Sequence, residues 1–251
     1  MNFKTKDFLF FYSLEGIFLT KFYQFIHPSW DEFINREEIQ QLLVEIEKQI
    51  GTNYNPTIKE NVLRFLHVDL SKVKVIWLGQ DVYPQKGVAT GRSFEVGNLV
   101  SWQDPFKQSS IRNIIRVLAK EWYDGQLLSF TELREEMVNG QFNLLEPKQW
   151  FEQLETQGVL FLNCYFTCEI GKENSHKKIW EPFSVQLIKY INEKNPSIIW
   201  FLWGKEAQSK DIGFQHKITS NHPSLLFPSK KEDFSHFTGF KETKELINWL
   251  G

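Results

Sequence analysis

The chain has 251 residues, of which 41% are hydrophobic and 24% charged, a composition typical of a folded globular protein and not of a disordered one. Its 29 basic and 31 acidic residues nearly cancel, which excludes a strongly electropositive coat but not a local phosphate-binding patch. Aromatic residues make up 16% of the chain and can fill a core or stack on a ligand.

Residues 1–27 are apolar and aromatic. Asp7, Glu15 and Lys21 interrupt them, and the longest uncharged stretch, residues 8–14, is too short to span a bilayer. We expect this segment to be an N-terminal extension packed on the main domain. An exposed partner-binding surface is the alternative.

Residues 28–251 are predicted to form a single main domain. Near its start, Ser29 and Glu32 match a capping box, which predicts a helix beginning there. Apolar residues then follow at helical spacing: Ile39, Leu42, Leu43, Ile46 and Ile50.

Four short apolar runs are predicted to be strands, at residues 73–78, 159–162, 198–203 and 216–219. Helical patterns lie between and after them, at residues 110–122, 182–193 and 205–210. Apolar strands separated by helices predict an α/β fold with a central four-stranded parallel sheet flanked by helices.

The two cysteines of the chain are four residues apart. Cys164 and Cys168 cannot build a disulfide framework or a four-cysteine metal site, so we expect them to be packed in the interior. This cysteine usage favours a reducing, cytoplasmic location.

Polar side chains follow three of the predicted strands. Asp81 comes after the first, Asn163 after the second and His222 after the last. Because the carboxyl ends of parallel strands meet at one edge of the sheet, we expect all three to reach one crevice. Taken singly, they could instead be a helix cap, a loop amide and a turn residue. Together, these groups suit one task. The carboxylate can orient a water molecule, the amide can recognise a ligand edge that carries a donor and an acceptor, and the imidazole can donate a hydrogen bond to a developing anion.

Six sequence blocks resemble the uracil-DNA glycosylase family, in the branch that lacks an iron–sulfur cluster, and they occur in the family's order. The blocks are GQDVYPQKGVATGRSFEV (79–96), QSSIRN (108–113), GVLFLNCYFT (158–167), NSHKKIWEPF (174–183), IIWFLWGKEAQ (198–208) and HPSLLF (222–227). The resemblance covers residues 28–251, except an extension at residues 124–151.

The resemblance implies an enzyme that flips a base out of DNA and hydrolyses its N-glycosidic bond, excising uracil in base-excision repair and leaving an abasic site. Asp81 and His222 would be catalytic. Phe94 would stack on the base, Asn163 would bind its imide edge, and Tyr83 would exclude the methyl group of thymine.

The same resemblance assigns the contacts with DNA, which is the expected partner. Gln80 would help to close the base pocket, Ser110 and Ser224 would bind phosphates, and Leu226 would enter the minor groove as a wedge. We expect a monomer that needs no metal and no cofactor and does not bind a membrane.

The chain departs from the family pattern beside the pocket. Pro84 replaces a histidine that helps to hold the catalytic water, so water positioning would rest on Asp81 or on a neighbour such as Gln85. Thr90 and Arg92 place further unusual groups there. Two alternatives therefore stay open: excision of a modified base, such as a hypermodified cytosine of phage DNA in antiphage defence, and a catalytically weak module that senses flipped bases.

Overall fold

A computed structural model of the chain describes residues 26–251. The predicted N-terminal extension therefore lies outside the described residues, apart from Ile26 and His27. Ile26 packs against the core, and the backbone N–H of His27 donates to the carbonyl of Leu66 at 2.8 Å.

The elements follow one another in α/β order. The strands are β1 (Tyr54–Asn55), β2 (Val75–Asp81), β3 (Val159–Tyr165), β4 (Cys168–Glu169), β5 (Ile199–Trp203) and β6 (His216–Ser220). The α-helices are α1 (Asp31–Ile34), α2 (Glu37–Ile50), α3 (Ser109–Ala119), α4 (Phe130–Val138), α5 (Pro147–Gln157), α6 (Lys177–Lys194), α7 (Gly204–Gln208) and α8 (Gly239–Glu242). Short 3-10 turns occur at Pro28–Trp30, Lys59–Asn61, Arg64–His67, Leu70–Lys72 and Phe234–His236. None of these helices is long and apolar enough to cross a membrane.

The predicted four-stranded parallel sheet is confirmed. Its strand order is β3-β2-β5-β6, and every neighbouring pair is parallel. The β2–β3 register runs from Val75 opposite Val159 to Asp81 opposite Tyr165, so both strands end at the same edge. Strands β1 and β4 form a separate antiparallel pair.

Helices cover both faces of the sheet. In β2, Ile76 and Leu78 belong to the core shared with α2 and α6, whereas Val75 and Trp77 belong to the core shared with α3 and α5. Successive side chains of a strand point to opposite faces, which explains why this run is almost entirely apolar.

Much of the aromatic content of the chain fills the second of these cores. Trp77 lies at its centre, and rings surround it at centroid distances from 5.0 Å (Trp203) to 6.3 Å (Phe94). Trp150, Phe161, Phe240 and Trp249 complete this shell. The core beneath this part of the sheet is therefore densely packed.

The capping box predicted at Ser29 does not form. Ser29 lies in a 3-10 turn, and its hydroxyl accepts the backbone N–H of Leu70 at 3.0 Å. Glu32 instead forms ion pairs with Arg36 and Lys194. The Ser29 hydroxyl therefore forms a tertiary hydrogen bond instead of capping a helix. The helix that carries the predicted apolar residues is α2, and it begins only after Arg36.

Both cysteines are buried and free, as expected from the sequence. Burial raises the pKa of Cys164 and of Cys168 to about 12, so both thiols are neutral packing groups.

Candidate active site

The three side chains meet at one edge of the sheet. Asn163 lies within β3, and not after its end as predicted from the sequence, because the strand continues to Tyr165. Gly79 and Asn163 are register partners in β2 and β3, Asp81 ends β2, and His222 follows the end of β6 by two residues. All of them line one cavity of about 340 Å³. Eight of the nine residues singled out from the sequence line this cavity: Gln80, Asp81, Tyr83, Phe94, Ser110, Asn163, His222 and Ser224.

Asp81 is held by backbone donors and is largely removed from water. Its Oδ1 accepts the N–H of Val82 at 2.9 Å, and its Oδ2 accepts the N–H of Asn174 at 2.5 Å. Burial raises the pKa of Asp81 to about 6 although both N–H groups oppose this, and the charge of Glu173 raises it further. Asp81 caps no helix, because an irregular loop follows β2.

Asn163 presents an amide that the described part of the chain leaves without a hydrogen bond. The residue is only 3% exposed, and it lines the cavity. A Cβ at position 79 would lie 2.5 Å from its Oδ1, so only a glycine at that position leaves room for the amide. Both its donor and its acceptor are available to a ligand.

His222 is a neutral imidazole with a defined tautomer. The backbone N–H of Ser224 donates to its Nδ1 at 3.2 Å, so the ring proton is on Nε2. The surrounding protein lowers the pKa of His222 below its usual range by desolvation. A Cβ at Gly204 would lie 2.9 Å from the Cβ of His222, so this glycine allows the close approach.

Phe94 and Tyr83 form an aromatic wall of the cavity. Phe94 has a φ of 65°, a conformation that is costly for a bulky residue and is often found at functional sites. Its ring packs on Trp203 at a centroid distance of 5.3 Å. The Tyr83 hydroxyl donates to the carbonyl of Phe94 at 3.5 Å, and burial raises the pKa of Tyr83 well above its usual range.

Asn55, which sequence reasoning missed, fixes the loop after β2. It is completely buried, and its Nδ2 donates to the carbonyls of Tyr83 (3.2 Å), Pro84 (2.8 Å) and Gln85 (2.9 Å). No local motif marks this residue, because its partners lie about thirty positions further along the chain.

The loop between β4 and α6 closes the cavity from the other side, and sequence reasoning also missed it. The N–H of Gly171 donates to the carbonyl of Pro84 at 2.9 Å. Asn174, which supplies an N–H to Asp81, also accepts the Gln80 amide on its Oδ1 at 2.6 Å. Glu173 lies between these anchors and lines the cavity.

Comparison with known proteins identifies the family. A uracil-DNA glycosylase from Streptococcus gordonii is 33% identical over 245 residues, covering 89% of this chain and 99% of the relative. The chain belongs to the uracil-DNA glycosylase family. A uracil-DNA glycosylase from Vibrio campbellii is 31% identical over 239 residues, covering 88% of this chain and 96% of that relative. No protein-family model matches the sequence.

Solved structures of uracil-DNA glycosylases share the fold. The crystal structure of the mimivirus enzyme matches with a TM-score of 0.65 at 22% identity, covering 90% of this chain and 84% of that one. The wild-type enzyme from Nitratifractor salsuginis matches with a TM-score of 0.61 at 20% identity, covering 80% of this chain and 85% of that one. The relatives of 31% and 33% identity confirm the family membership predicted from the six blocks.

Of two residues expected beside the pocket of this uracil-DNA glycosylase family member, Arg92 lines the cavity and Gln85 does not. Gln85 is exposed and does not line the cavity, because its carbonyl is bound by Asn55 and the chain turns outward there. The guanidinium of Arg92 is bound by Glu155 at 2.6 Å and by Glu95 at 3.1 Å. Arg92 therefore ties the pocket block to the core and offers no free cation to a ligand.

Leu226 does not line the cavity of this family member. It is partly buried and packs against the aromatic core, whereas its neighbours Leu225 and Phe227 are 62% and 48% exposed. The same loop is tied to α3, because the Asn113 amide donates to the carbonyl of Pro223 at 2.7 Å. This contact holds the loop near Ser110 of α3.

A second cavity, of about 310 Å³, adjoins the first and shares the walls formed by Gly79, Gln80, Phe94 and His222. It adds the exposed Lys205 to the rim of the site. Within residues 26–251, no group of three or more His, Cys, Asp or Glu side chains is arranged to hold a metal ion.

Proposed function

We propose that this protein excises uracil from DNA by hydrolysing the N-glycosidic bond of a flipped-out nucleotide, and that it leaves an abasic site for base-excision repair. The convergence of Asp81, Asn163 and His222 on one cavity carries this proposal. The cavity can hold a single nucleotide but not a duplex, so the target base must leave the stack. Family membership supports the same reaction class.

Base selection would rest on Asn163, Phe94 and Tyr83. The unpaired amide of Asn163 offers a donor and an acceptor that complement O4 and N3–H of uracil, whereas cytosine presents the opposite pattern. The ring of Phe94 would stack on the base. Tyr83 is fixed against the Phe94 backbone and would leave no room for the methyl group of thymine or for a larger substituent at C5.

Bond cleavage would place positive charge on the sugar and negative charge on the base. The ionised carboxylate of Asp81 would stabilise the sugar cation and orient the attacking water. The Nε2–H of His222 would donate to O2 of uracil as anionic charge grows there. A preorganised donor of this kind lowers the barrier by roughly 2.7–4 kcal/mol.

The DNA backbone would be bound by hydroxyl and N–H groups at the cavity rim. Ser110, in the first turn of α3, and Ser224 would contact phosphates. Leu226 would leave its half-buried position and fill the space of the flipped nucleotide, with the exposed Leu225 beside it. The described residues of one chain supply both the base-binding and the catalytic groups, so we propose that the enzyme acts as a monomer.

A base-release assay tests this function. Wild-type protein is incubated with single- and double-stranded oligonucleotides containing one uracil, and with phage DNA containing modified cytosine, and the freed base is identified by mass spectrometry. We expect free uracil and an intact backbone that alkali cleaves at the abasic site. Release of a modified base alone would favour the defence alternative. Tight binding without any product would favour the sensing module.

A further inference from the structure

Glu173 also lines the cavity, and its carboxylate has no part in the mechanism described above. The segment after Asp81 supplies no side chain that can hold a water molecule beside it. Val82 is apolar, Pro84 has no polar side-chain atom, and the Tyr83 hydroxyl is directed to the carbonyl of Phe94. On the facing loop, Glu173 and Asn174 line the same cavity as Asp81, and the N–H of Asn174 donates to Asp81.

Backbone hydrogen bonds on both sides of Glu173 fix its position. Two residues before it, the N–H of Gly171 donates to the carbonyl of Pro84 at 2.9 Å. One residue after it, the N–H of Asn174 donates to Oδ2 of Asp81 at 2.5 Å. These two hydrogen bonds attach the backbone around Glu173 to Asp81 and to the loop that follows it, so Glu173, which is exposed to solvent, stays beside the cavity.

Glu173 is not neutralised by a neighbour. Among the described residues it forms no salt bridge and no side-chain hydrogen bond, whereas Lys172 of the same loop pairs with Glu169 at the end of β4. Its charge contributes to the raised pKa of Asp81. Two carboxylates that line one cavity repel each other, and a hydrogen-bond donor shared between them relieves this repulsion.

We propose that Glu173 is a further catalytic residue, whose carboxylate binds the attacking water together with that of Asp81. The inference rests on the proposed glycosylase function. In the step, the water oxygen forms a bond to C1′ and the C1′–N1 bond breaks, with its electron pair retained by the base. The water proton passes to one of the two carboxylates and then to solvent.

Single-turnover kinetics with Glu173→Gln tests the role. We expect uracil release to slow by at least about tenfold, the lower range for loss of a positioned base. Binding to a duplex with non-hydrolysable 2′-fluorouridine should stay equal or become tighter, since one negative charge near DNA is removed. Glu169→Gln is the matched control, because it removes a nearby carboxylate, at the end of β4, that does not line the cavity, and its rate should stay within about twofold of wild type.

The pH profile supplies a readout that a purely structural role would not move. Removing the charge of Glu173 should shift the acid limb of the rate profile to lower pH, because Asp81 would ionise more easily. The other charged or titratable groups around Glu173 and the cavity are Glu169 and Lys172, which pair with each other, His176, whose pKa is lowered by burial, Cys168, whose pKa is raised to about 12, Tyr83, whose pKa is raised, and His222, whose pKa is lowered.

Glu173→Gln protein with the wild-type rate and an unshifted acid limb would overturn the inference while leaving the glycosylase function intact. Wild-type protein that releases no uracil would overturn the proposed function and this inference with it. Partial recovery of the rate in Glu173→Asp would support the role of the carboxylate.

Discussion

The backbone N–H of Ser224 donates to Nδ1 of His222 at 3.2 Å, and this one hydrogen bond determines what the imidazole can do. A nitrogen that accepts cannot carry the ring proton, so Nε2 is the donor. Because desolvation also lowers the pKa of His222, the neutral form predominates at neutral pH. The sequence places His222 at the site, but only the fold fixes its tautomer.

The first prediction concerns this donor. His222→Ala should lower the single-turnover rate of uracil release by roughly 100- to 1000-fold, the effect of losing a preorganised donor to a developing anion. Binding of uracil DNA should change far less. In the free protein at pH 7, nitrogen NMR should show Nε2 protonated and Nδ1 unprotonated; a doubly protonated ring would contradict the assignment.

The second prediction is a pH dependence. The pKa of Asp81 is raised to about 6, and the proposed mechanism uses its ionised form, so the rate should rise as pH increases through about 6 and level off above 7. The lowered pKa of His222 keeps that ring neutral over the same plateau. A profile whose midpoint lies near pH 4, as for an ordinary aspartate, would show that Asp81 is not desolvated.

The third prediction links the site to stability. A folded-state pKa above the unfolded one means that ionised Asp81 destabilises the fold: stability is fully present below pH 4 and is lost as pH rises through about 6. Asp81→Asn should therefore increase the free energy of unfolding at pH 8 by about 1–2 kcal/mol while abolishing activity. Denaturant titrations of both proteins should show this gain shrinking toward pH 4. A gain that is independent of pH would contradict it.

The fourth prediction concerns the glycine beside Asn163. Gly79→Ala places a Cβ 2.5 Å from Oδ1 of Asn163 and should displace the amide, lowering the rate by at least about tenfold. If displacement of the amide is the cause, the losses are not additive, and Gly79→Ala with Asn163→Ala should be about as slow as Asn163→Ala alone. Fully additive losses in this double-mutant cycle would point to a different mechanism.

The fifth prediction concerns the identity of the base. Tyr83→Ala should open the wall and allow thymine release from DNA, whereas Tyr83→Phe, which keeps the ring, should not. Chromatography of the freed bases distinguishes the two outcomes. Exclusion of thymine by both variants would mean that another group forms the wall at C5.

The sheet and the meeting of Asp81, Asn163 and His222 were predictable from the sequence, because apolar runs define parallel strands and parallel strands end at one edge. The contacts from the loop between β4 and α6 were not predictable. Gln80 and Asp81 are bound by Asn174 across 94 and 93 residues of chain, and local patterns do not encode such pairings.

Two wrong expectations have the same physical origin. Ser29 matched a helix cap, but a tertiary contact with Leu70 took its hydroxyl. Gln85 follows Asp81 closely in sequence, but its carbonyl is hydrogen-bonded by the buried Asn55 side chain, and Gln85 faces solvent instead of the cavity. Local spacing therefore predicted elements well and predicted side-chain partners poorly.

The most direct test of the whole account is uracil release by the Asp81→Asn, His222→Ala double variant beside wild type, under single turnover at pH 7.5 with excess protein. We expect wild-type protein to convert a uracil-containing duplex to free uracil and an abasic strand, and the folded double variant to yield no product in the same time. An unchanged rate in the double variant would contradict the account.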